Sequence, residues 1–239
     1  LADGRLSIKA AIADALEAIP AEEMVTATAY RADQVGRFFA LGAFSGRAPY
    51  RRLSPELQRD IRAFFGSQSA AEGVGRRMLF DAGDTDALAK DAQAHAEAGV
   101  GLLFGDKYQI HARDLQKLTP RLRTYIGIAQ TLAGTLDSTT IYRVHLASRK
   151  LTALLYPDFD TSALPRLSVR TKVDLRTGEV AVFDHQADGQ VSVLMEKSHY
   201  MAGNEDRYED QSDFDAAMRN LFGDSLSTLP FAEVASAIM

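Results

Sequence analysis

The chain has 239 residues, a net charge of −5 at pH 7, and apolar and charged fractions of 46% and 25%. These ordinary values exclude disordered and fibrous proteins. It contains no cysteine, which excludes disulfides, thiolate metal sites and cysteine nucleophiles, and we expect a reducing, cytoplasmic location. No apolar run reaches the roughly 18–20 residues of a membrane-spanning helix, so we expect no membrane partner. The start, LADGRLS, has neither an initiator methionine nor a signal sequence, and we expect the chain to be a region of a longer protein.

Charge is distributed unevenly along the chain. Residues 101–185 carry 12 basic and 8 acidic side chains, whereas residues 1–100 carry 12 and 14. Residues 186–239 carry 3 basic and 10 acidic side chains. The middle segment is therefore the part of the chain whose field favours a polyanion.

The first hundred residues have helical periodicity. Ser54-Pro55-Glu56 is typical of a helix start, because a hydroxyl caps the free N–H groups and proline suits the first position. Gly66 and Gly99 mark helix ends. The pattern predicts helices over 8–19, 21–44, 55–65 and 85–98, and therefore a helical subdomain over residues 1–100.

After residue 100 the apolar period changes from helical spacing to alternation. Residues 112–133 still predict two helical segments around Pro120, and RTGE (176–179) is typical of a hairpin turn. Alternation predicts strands over 140–146 and 169–175, and 151–156 is uniformly apolar, as expected of an inner strand. Further strands are predicted over 107–111, 180–183 and 191–197.

Short connections between these strands favour an antiparallel meander, because parallel strands need long crossovers. A polar loop over 202–213 then leads into a helix that ends at Gly223, and a short helix is predicted in the last dozen residues. We therefore predict an α+β fold. A helical bundle packs on a C-terminal antiparallel meander with a terminal helix, over residues 101–239.

No motif for cofactor or metal binding is present in the sequence. Gly73-Val74-Gly75 lies in a helical context without the preceding strand that a dinucleotide loop requires. The five histidines are scattered, and none forms an i, i+4 pair. We expect no cofactor and no metal.

Asp158 and Asp160 flank Phe159 after a predicted strand. A metal-dependent nuclease would use such an acidic pair together with a lysine on an adjacent strand. Asp174-Leu175-Arg176 resembles the second part of that layout, but arginine replaces the lysine. The alternative, which we favour, is a turn in which Asp158 caps backbone groups. The candidate catalytic residues are His111, Asp158 and Asp160.

Basic side chains recur on two predicted strands. Arg143 and His145 share one strand face, Arg170 and Lys172 share one face of a later strand, and Lys150 lies at the intervening turn. If the two faces coincide, they form a surface suited to phosphate contacts. The candidate nucleic-acid-binding residues are Arg123, Arg143, His145, Lys150, Arg170 and Lys172.

Two aromatic residues lie close to this basic set in the sequence. Tyr142 and Tyr156 are candidate stacking partners for nucleic-acid bases. The alternative is an ordinary solvated sheet face, partly neutralised by Asp174 and Glu179.

Several stretches resemble one family, the methyltransferase-like proteins associated with DNA phosphorothioation. They occur in the same order as in that family and together cover most of residues 1–185. The matching stretches are GRLS (4–7), FSGRAPYRRLSPELQRDIRAFFGS (44–67), KYQIHARDLQKLTPRLRTYIGIA (107–129), TTIYRVHLASRKLTALLYPDFD (139–160) and SVRTKVDLRTGEV (168–180).

The resemblance implies the C-terminal region of a fusion with an S-adenosylmethionine-type domain. Such proteins are linked to bacterial systems that replace a non-bridging phosphate oxygen of DNA with sulfur, and to the associated defence. The methyltransferase half is absent from this chain. Where the family has His-Arg-Lys-Glu, this chain has Leu194-Met195-Glu196-Lys197. Ala163-Leu164-Pro165 stands in place of Pro-His-Pro.

The sequence leaves three functional hypotheses. The first is a non-catalytic, DNA-associated module that positions a methyltransferase-like partner in a phosphorothioation-linked modification or defence system. The second is a protein-interaction domain of that machinery, without DNA contact, that uses the apolar segment 231–238. The third is a metal-dependent nuclease or hydrolase.

Overall fold

The computed structural model describes residues 14, 16–46, 49–134, 136, 138–186, 192–222 and 234. The described part contains the helices α1 (Ala21–Ser45), α2 (Pro55–Phe65), α3 (Gln68–Ala82), α4 (Thr85–Glu97), α5 (Pro120–Ala133) and α6 (Tyr208–Phe222). It also contains the strands β1 (Leu102–Phe104), β2 (Lys107–His111), β3 (Ile141–His145), β4 (Lys150–Leu155), β5 (Val169–Asp174) and β6 (Val180–Asp184). Short 3₁₀ helices lie at Tyr50–Arg52, Ala112–Lys117 and Lys197–Tyr200. The α+β fold class is confirmed.

The chain divides into two compact units, Leu1–Arg76 and Arg77–Met239. The division falls earlier than residue 100, the boundary given by the sequence. The reason is that α4 contacts α5 and β1, and so belongs with the sheet. None of the described helices is both long enough and apolar enough to cross a bilayer.

The helix starts follow from local chemistry. The Ser54 hydroxyl accepts the Leu57 N–H at 3.2 Å, and Gly66 ends α2 with a φ of 73°. The first unit has its own core, formed by Val35, Leu53, Ile61 and Ala71. The predicted helix 8–19 falls mostly outside the described residues, but residues 14 and 16–18 are helical.

The second unit is built on one six-stranded sheet with the order β1-β2-β3-β4-β5-β6. Every neighbouring pair is antiparallel, so the predicted meander is confirmed. Strand β1 has three residues, too few to show alternation, and the sequence did not predict it.

The strand predicted over 191–197 is wrong for the residues that the structure describes. Val193 makes only an isolated bridge with Arg166. Glu196 has a φ of 53°, a left-handed conformation that ends extended backbone, and a 3₁₀ helix begins at Lys197. The final helix also begins earlier than predicted, at Tyr208. Its predicted stop at Gly223 lies outside the described residues.

One face of the sheet is packed and apolar, and we call it the helix-covered face. Helix α5 contacts β5, and its Tyr125 hydroxyl donates to the Lys150 carbonyl at 3.2 Å. Gln130 on the same helix donates to the Tyr142 hydroxyl at 2.8 Å. The apolar strand residues buried on this face are Tyr108, Ile110, Tyr142, Val144, Leu151, Ala153 and Val173.

The opposite face divides into an apolar and a basic part. Ile141 and Leu154 occupy the apolar part, where a buried cluster covers them. That cluster is completed by Tyr156, Phe159, Leu167, Leu194 and Tyr200. The rest of this face carries the basic side chains described below.

Gly101 is required where the chain enters β1. Its φ is 76°, and an added Cβ would lie 2.5 Å from the Gln109 carbonyl oxygen of the paired strand. Gly99 has a φ of 74° but no atom within 4 Å of an added Cβ. A substitution at Gly99 therefore introduces backbone strain alone, whereas a substitution at Gly101 introduces both backbone strain and a steric clash.

We predict that Gly101→Ala destabilises the fold more than Gly99→Ala. The left-handed backbone alone costs about 1–2 kcal/mol for alanine, and Gly101→Ala adds a contact that a paired strand cannot relieve. Denaturant unfolding of both variants measures the difference. Equal free energies of unfolding would contradict the clash.

Candidate nucleic-acid interface

The strand register brings five of the predicted basic residues onto one face. Arg143 on β3 lies opposite Thr152, which lies opposite Lys172 on β5. His145 lies opposite Lys150 in the next row, and Arg170 lies two residues from Lys172. Directly opposite residues project to the same side of a sheet. We call this surface the basic face, defined by Arg143, His145, Lys150, Arg170 and Lys172.

The basic face is small. Arg143 and Lys172 are two strands apart, which corresponds to roughly 10 Å, and neighbouring rows are about 7 Å apart along a strand. Lys172 is exposed, while Arg143, His145, Lys150 and Arg170 are half-buried. Such spacing concentrates charge on a patch that matches one or two phosphate groups rather than a long groove.

The charges on the basic face act on one another. Although the Lys172 side chain is exposed, partial desolvation lowers its pKa, and the neighbouring charges of Arg170, Lys150 and Arg143 lower it further. The pKa of His145 is lowered in the same way, first by burial and then by Arg143 and Lys107. Burial is the larger cause of both shifts, and the like charges nearby add to it.

The acidic side chains predicted to neutralise this surface do so only in part. Asp174 is shared between Lys150 and Arg176, each at 3.3 Å, and hydrogen bonds from Arg176 and then Lys150 hold its pKa well below the ordinary value. Glu179 makes no ion pair with the described residues. Among those residues, no carboxylate lies within 4 Å of the charged nitrogens of Arg143, Arg170 or Lys172.

The two arginines are positioned by neutral partners. Arg143 Nη2 donates to the Gln109 side-chain oxygen at 3.1 Å, and the Arg170 guanidinium lies 4.6 Å from the centre of the Phe183 ring. The Lys172 ammonium lies 5.5 Å from the same ring. The buried Nε atoms of both arginines have no acceptor within the part of the chain that the structure describes. Because these Nε atoms are buried, an oxyanion on this face would be contacted by the Nη groups.

Three residues predicted for this surface lie elsewhere. Arg123 is on α5 and is 5% exposed, within a helix segment that is buried from residue 122 to residue 129. Tyr142 is 2% exposed on the helix-covered face, and Tyr156 is 6% exposed inside the apolar cluster. Their proposed contacts with phosphate or bases are therefore wrong. Phe183 was not predicted for this surface, because alternation within one strand does not show which residue of the neighbouring strand lies beside Arg170.

Two of the three candidate catalytic residues accept hydrogen bonds from backbone N–H groups. Asp158 accepts the Arg166 N–H at 2.9 Å, the capping role that we favoured. His111 accepts the Arg113 N–H through Nδ1 at 3.2 Å, and its ring lies 4.7 Å from that of Phe159. Asp160 is exposed. The described residues contain no group of three side chains arranged to hold a metal ion.

We predict that Lys172→Met raises the pKa of His145, because it removes one of the positive charges that disfavour the imidazolium ion. Lys90→Met, an exposed position on α4, is the matched control and should leave that pKa unchanged. NMR titration of the histidine ring protons measures both values. An unchanged His145 pKa in Lys172→Met would show that the charges do not interact.

Burial, with a smaller contribution from Arg113, lowers the pKa of His111 to about 4. Between about pH 4 and 6.5 the unfolded state therefore binds the proton more readily, so the free energy of unfolding rises with pH across this window. We predict that His111→Asn, which retains an acceptor for the Arg113 N–H, loses less stability on acidification than the unmodified protein. Denaturant unfolding of His111→Asn and of the unmodified protein across this pH range measures the effect. A parallel loss of stability in the two proteins would contradict the assignment.

Comparison with known proteins identifies no significantly similar relative, so it assigns neither a family nor a function. No family model matches the chain, and no curated protein or solved structure is significantly similar to it. The resemblance carried by the stretches in residues 1–185 therefore stays a prediction.

Proposed function

We propose that the unit Arg77–Met239 binds nucleic acid through the basic face. In this proposal the chain is a non-catalytic accessory module of a DNA phosphorothioation-linked modification or defence system, and it positions a methyltransferase-like partner on DNA. The observation that carries the proposal is the group of three cations, Arg143, Arg170 and Lys172, whose charged nitrogens have no carboxylate within 4 Å among the described residues.

Clustering of these cations has an energetic consequence. Like charges about 10 Å apart repel one another, and half-burial of Arg143 and Arg170 weakens the screening that water provides. A bound phosphodiester supplies the missing negative charge and accepts hydrogen bonds from the guanidinium groups. A polyanion therefore relieves a repulsion that the fold itself leaves in place.

The cations are also held in position before a ligand arrives. Phe183 lies beside both Arg170 and Lys172, and Gln109 holds Arg143. Cation–π contacts of this kind contribute about 0.5–1 kcal/mol at exposed sites and more when desolvated. Less side-chain entropy is then lost on binding, which favours a specific contact over diffuse attraction.

Two further observations bear on the other hypotheses. Val234, within the segment expected to dock onto a partner, is fully buried in a cluster with Met218. A residue packed against its own chain is not available as a docking surface. For a nuclease, Asp158 is already engaged by the Arg166 N–H. Neither alternative has a comparable observation in its favour.

We predict that the protein binds DNA at low salt and that Lys172→Met weakens this binding. Each phosphate contact contributes about −0.9 to the slope of log K against log salt on a duplex and about −0.7 on a single strand. Loss of one contact should therefore reduce the slope by about 1. Fluorescence anisotropy with duplex and single-stranded oligonucleotides, with and without phosphorothioate linkages, measures affinity and slope.

Lys90→Met is the control for the same loss of charge away from the sheet. It should leave both affinity and slope unchanged. Absence of binding to every oligonucleotide at low salt would overturn the proposal. Equal effects of the two substitutions would show that net charge, rather than the basic face, governs the attraction.

A further inference from the structure

A second site in the same unit is a cavity of about 210 Å³. It lies between the turn that follows β4, the 3₁₀ helix at Lys197–Tyr200 and the start of α6. Its lining includes Phe159, Asp160, Lys197 and Phe214. At roughly 30 Å³ per water molecule this volume equals about seven waters, which suits a ligand of on the order of ten non-hydrogen atoms.

The most unusual group in this cavity is the Lys197 ammonium. The residue is 6% exposed, and its Nζ donates one hydrogen bond, to the Ser162 carbonyl at 2.9 Å. Nζ also lies 5.0 Å from the centre of the Phe159 ring. An ammonium has three donors, and within the described chain no carboxylate lies within 4 Å of this one. Burial of a cation that lacks a close counter-ion is costly, which favours an anionic group from a ligand.

The frame around Lys197 is fixed by other polar contacts. Gln211 donates to the Ala163 carbonyl at 3.1 Å and to Asp215 at 2.8 Å. The second oxygen of Asp215 accepts the Ser198 N–H at 2.8 Å. Since these contacts hold the turn, the 3₁₀ helix and α6 together, the cavity is preorganised. Asp215 acts on Lys197 through its charge, but it forms neither a hydrogen bond nor an ion pair within 4 Å with it.

The mouth of the cavity has the opposite charge. Asp160, Asp206 and Asp210 line it and are exposed, and none of their carboxylates accepts a hydrogen bond or forms an ion pair within the described residues. Glu205 also lines the cavity, but it is already paired with Arg113 at 2.6 Å. A simple anion would be repelled on entry by these carboxylates, and a simple cation would be repelled by Lys197 inside and by Arg207, which is exposed and also lines the cavity.

We propose that this cavity binds the zwitterion of a small α-amino acid with an apolar side chain. The carboxylate of the ligand accepts hydrogen bonds from the free donors of Lys197, while its ammonium group lies among Asp160, Asp206 and Asp210. Phe159, Met201 and Phe214 supply the apolar wall for the side chain. The site is separate from the basic face and does not depend on the nucleic-acid proposal.

The test uses L-leucine, L-methionine and L-phenylalanine as probes, with leucinamide and 4-methylpentanoate as analogues that lack the carboxylate and the ammonium group respectively. Ligand-detected NMR and calorimetry near neutral pH measure binding to the full chain. We expect saturable binding of at least one of the three amino acids. We expect each analogue to bind about tenfold more weakly than leucine, because each loses one charged hydrogen-bonding group.

Lys197→Met removes the buried charge and keeps a similar length, and Asp210→Asn removes one carboxylate at the mouth. Each should weaken amino-acid binding by about tenfold, whereas Asp213→Asn, exposed on α6 outside the cavity lining, should leave it unchanged. If Lys197→Met does not fold, the exposed Asp210→Asn carries the comparison alone. No saturable binding of any probe at millimolar concentration overturns the proposal, as does leucinamide or 4-methylpentanoate binding as tightly as leucine.

Discussion

The antiparallel register of β3, β4 and β5 is the constraint on which the second unit depends. It places Arg143 and Lys172 in one row on either side of Thr152. A slip of one residue would turn both cations toward the helix-covered face, where Val144 and Val173 are now fully buried. Burial of unpaired charges costs several kcal/mol for each ion. Apolar packing on one face and solvation of charge on the other therefore enforce the same register.

The helix-covered face also explains how the fold tolerates a repulsive surface. Tyr125 and Tyr142 bury their rings against the sheet and still satisfy their hydroxyl groups, one on the Lys150 carbonyl and the other with Gln130. Because these contacts lie on the face opposite the cations, they stabilise the strands without neutralising the basic face. A ligand that supplies negative charge would add to that stability through mass action, since the unfolded chain does not hold the cations together.

Alternation in 140–146 and 169–175, the apolar run 151–156 and the RTGE turn were enough to predict β3 to β6, and alternation assigned Arg143 to one face and Tyr142 to the other. That alternation already placed Tyr142 with Val144, so its burial follows from the same pattern that predicted the strand. The coincidence of Arg143 with Lys172 needed the register, which depends on pairing between strands and not on any one of them. Arg123 shows a different limit. Helical periodicity indicates which residues share a face, but not that α5 is buried around most of its circumference.

The unit Arg77–Met239 contains both the basic face and the cavity at Lys197, which is lined by charges of both signs. The net charge of −5 indicates neither local arrangement. At physiological ionic strength the screening length is about 8 Å, so exposed charges much farther than this from a bound phosphate are largely screened. A phosphate in contact with the basic face is therefore governed by the nearest cations more than by distant acidic residues. At low salt the acidic residues of the chain act over a longer range and oppose the approach of a polyanion. If the basic face binds nucleic acid as proposed, the acidic residues of 186–239 would oppose that binding mainly through long-range repulsion, while local geometry would decide which groups touch.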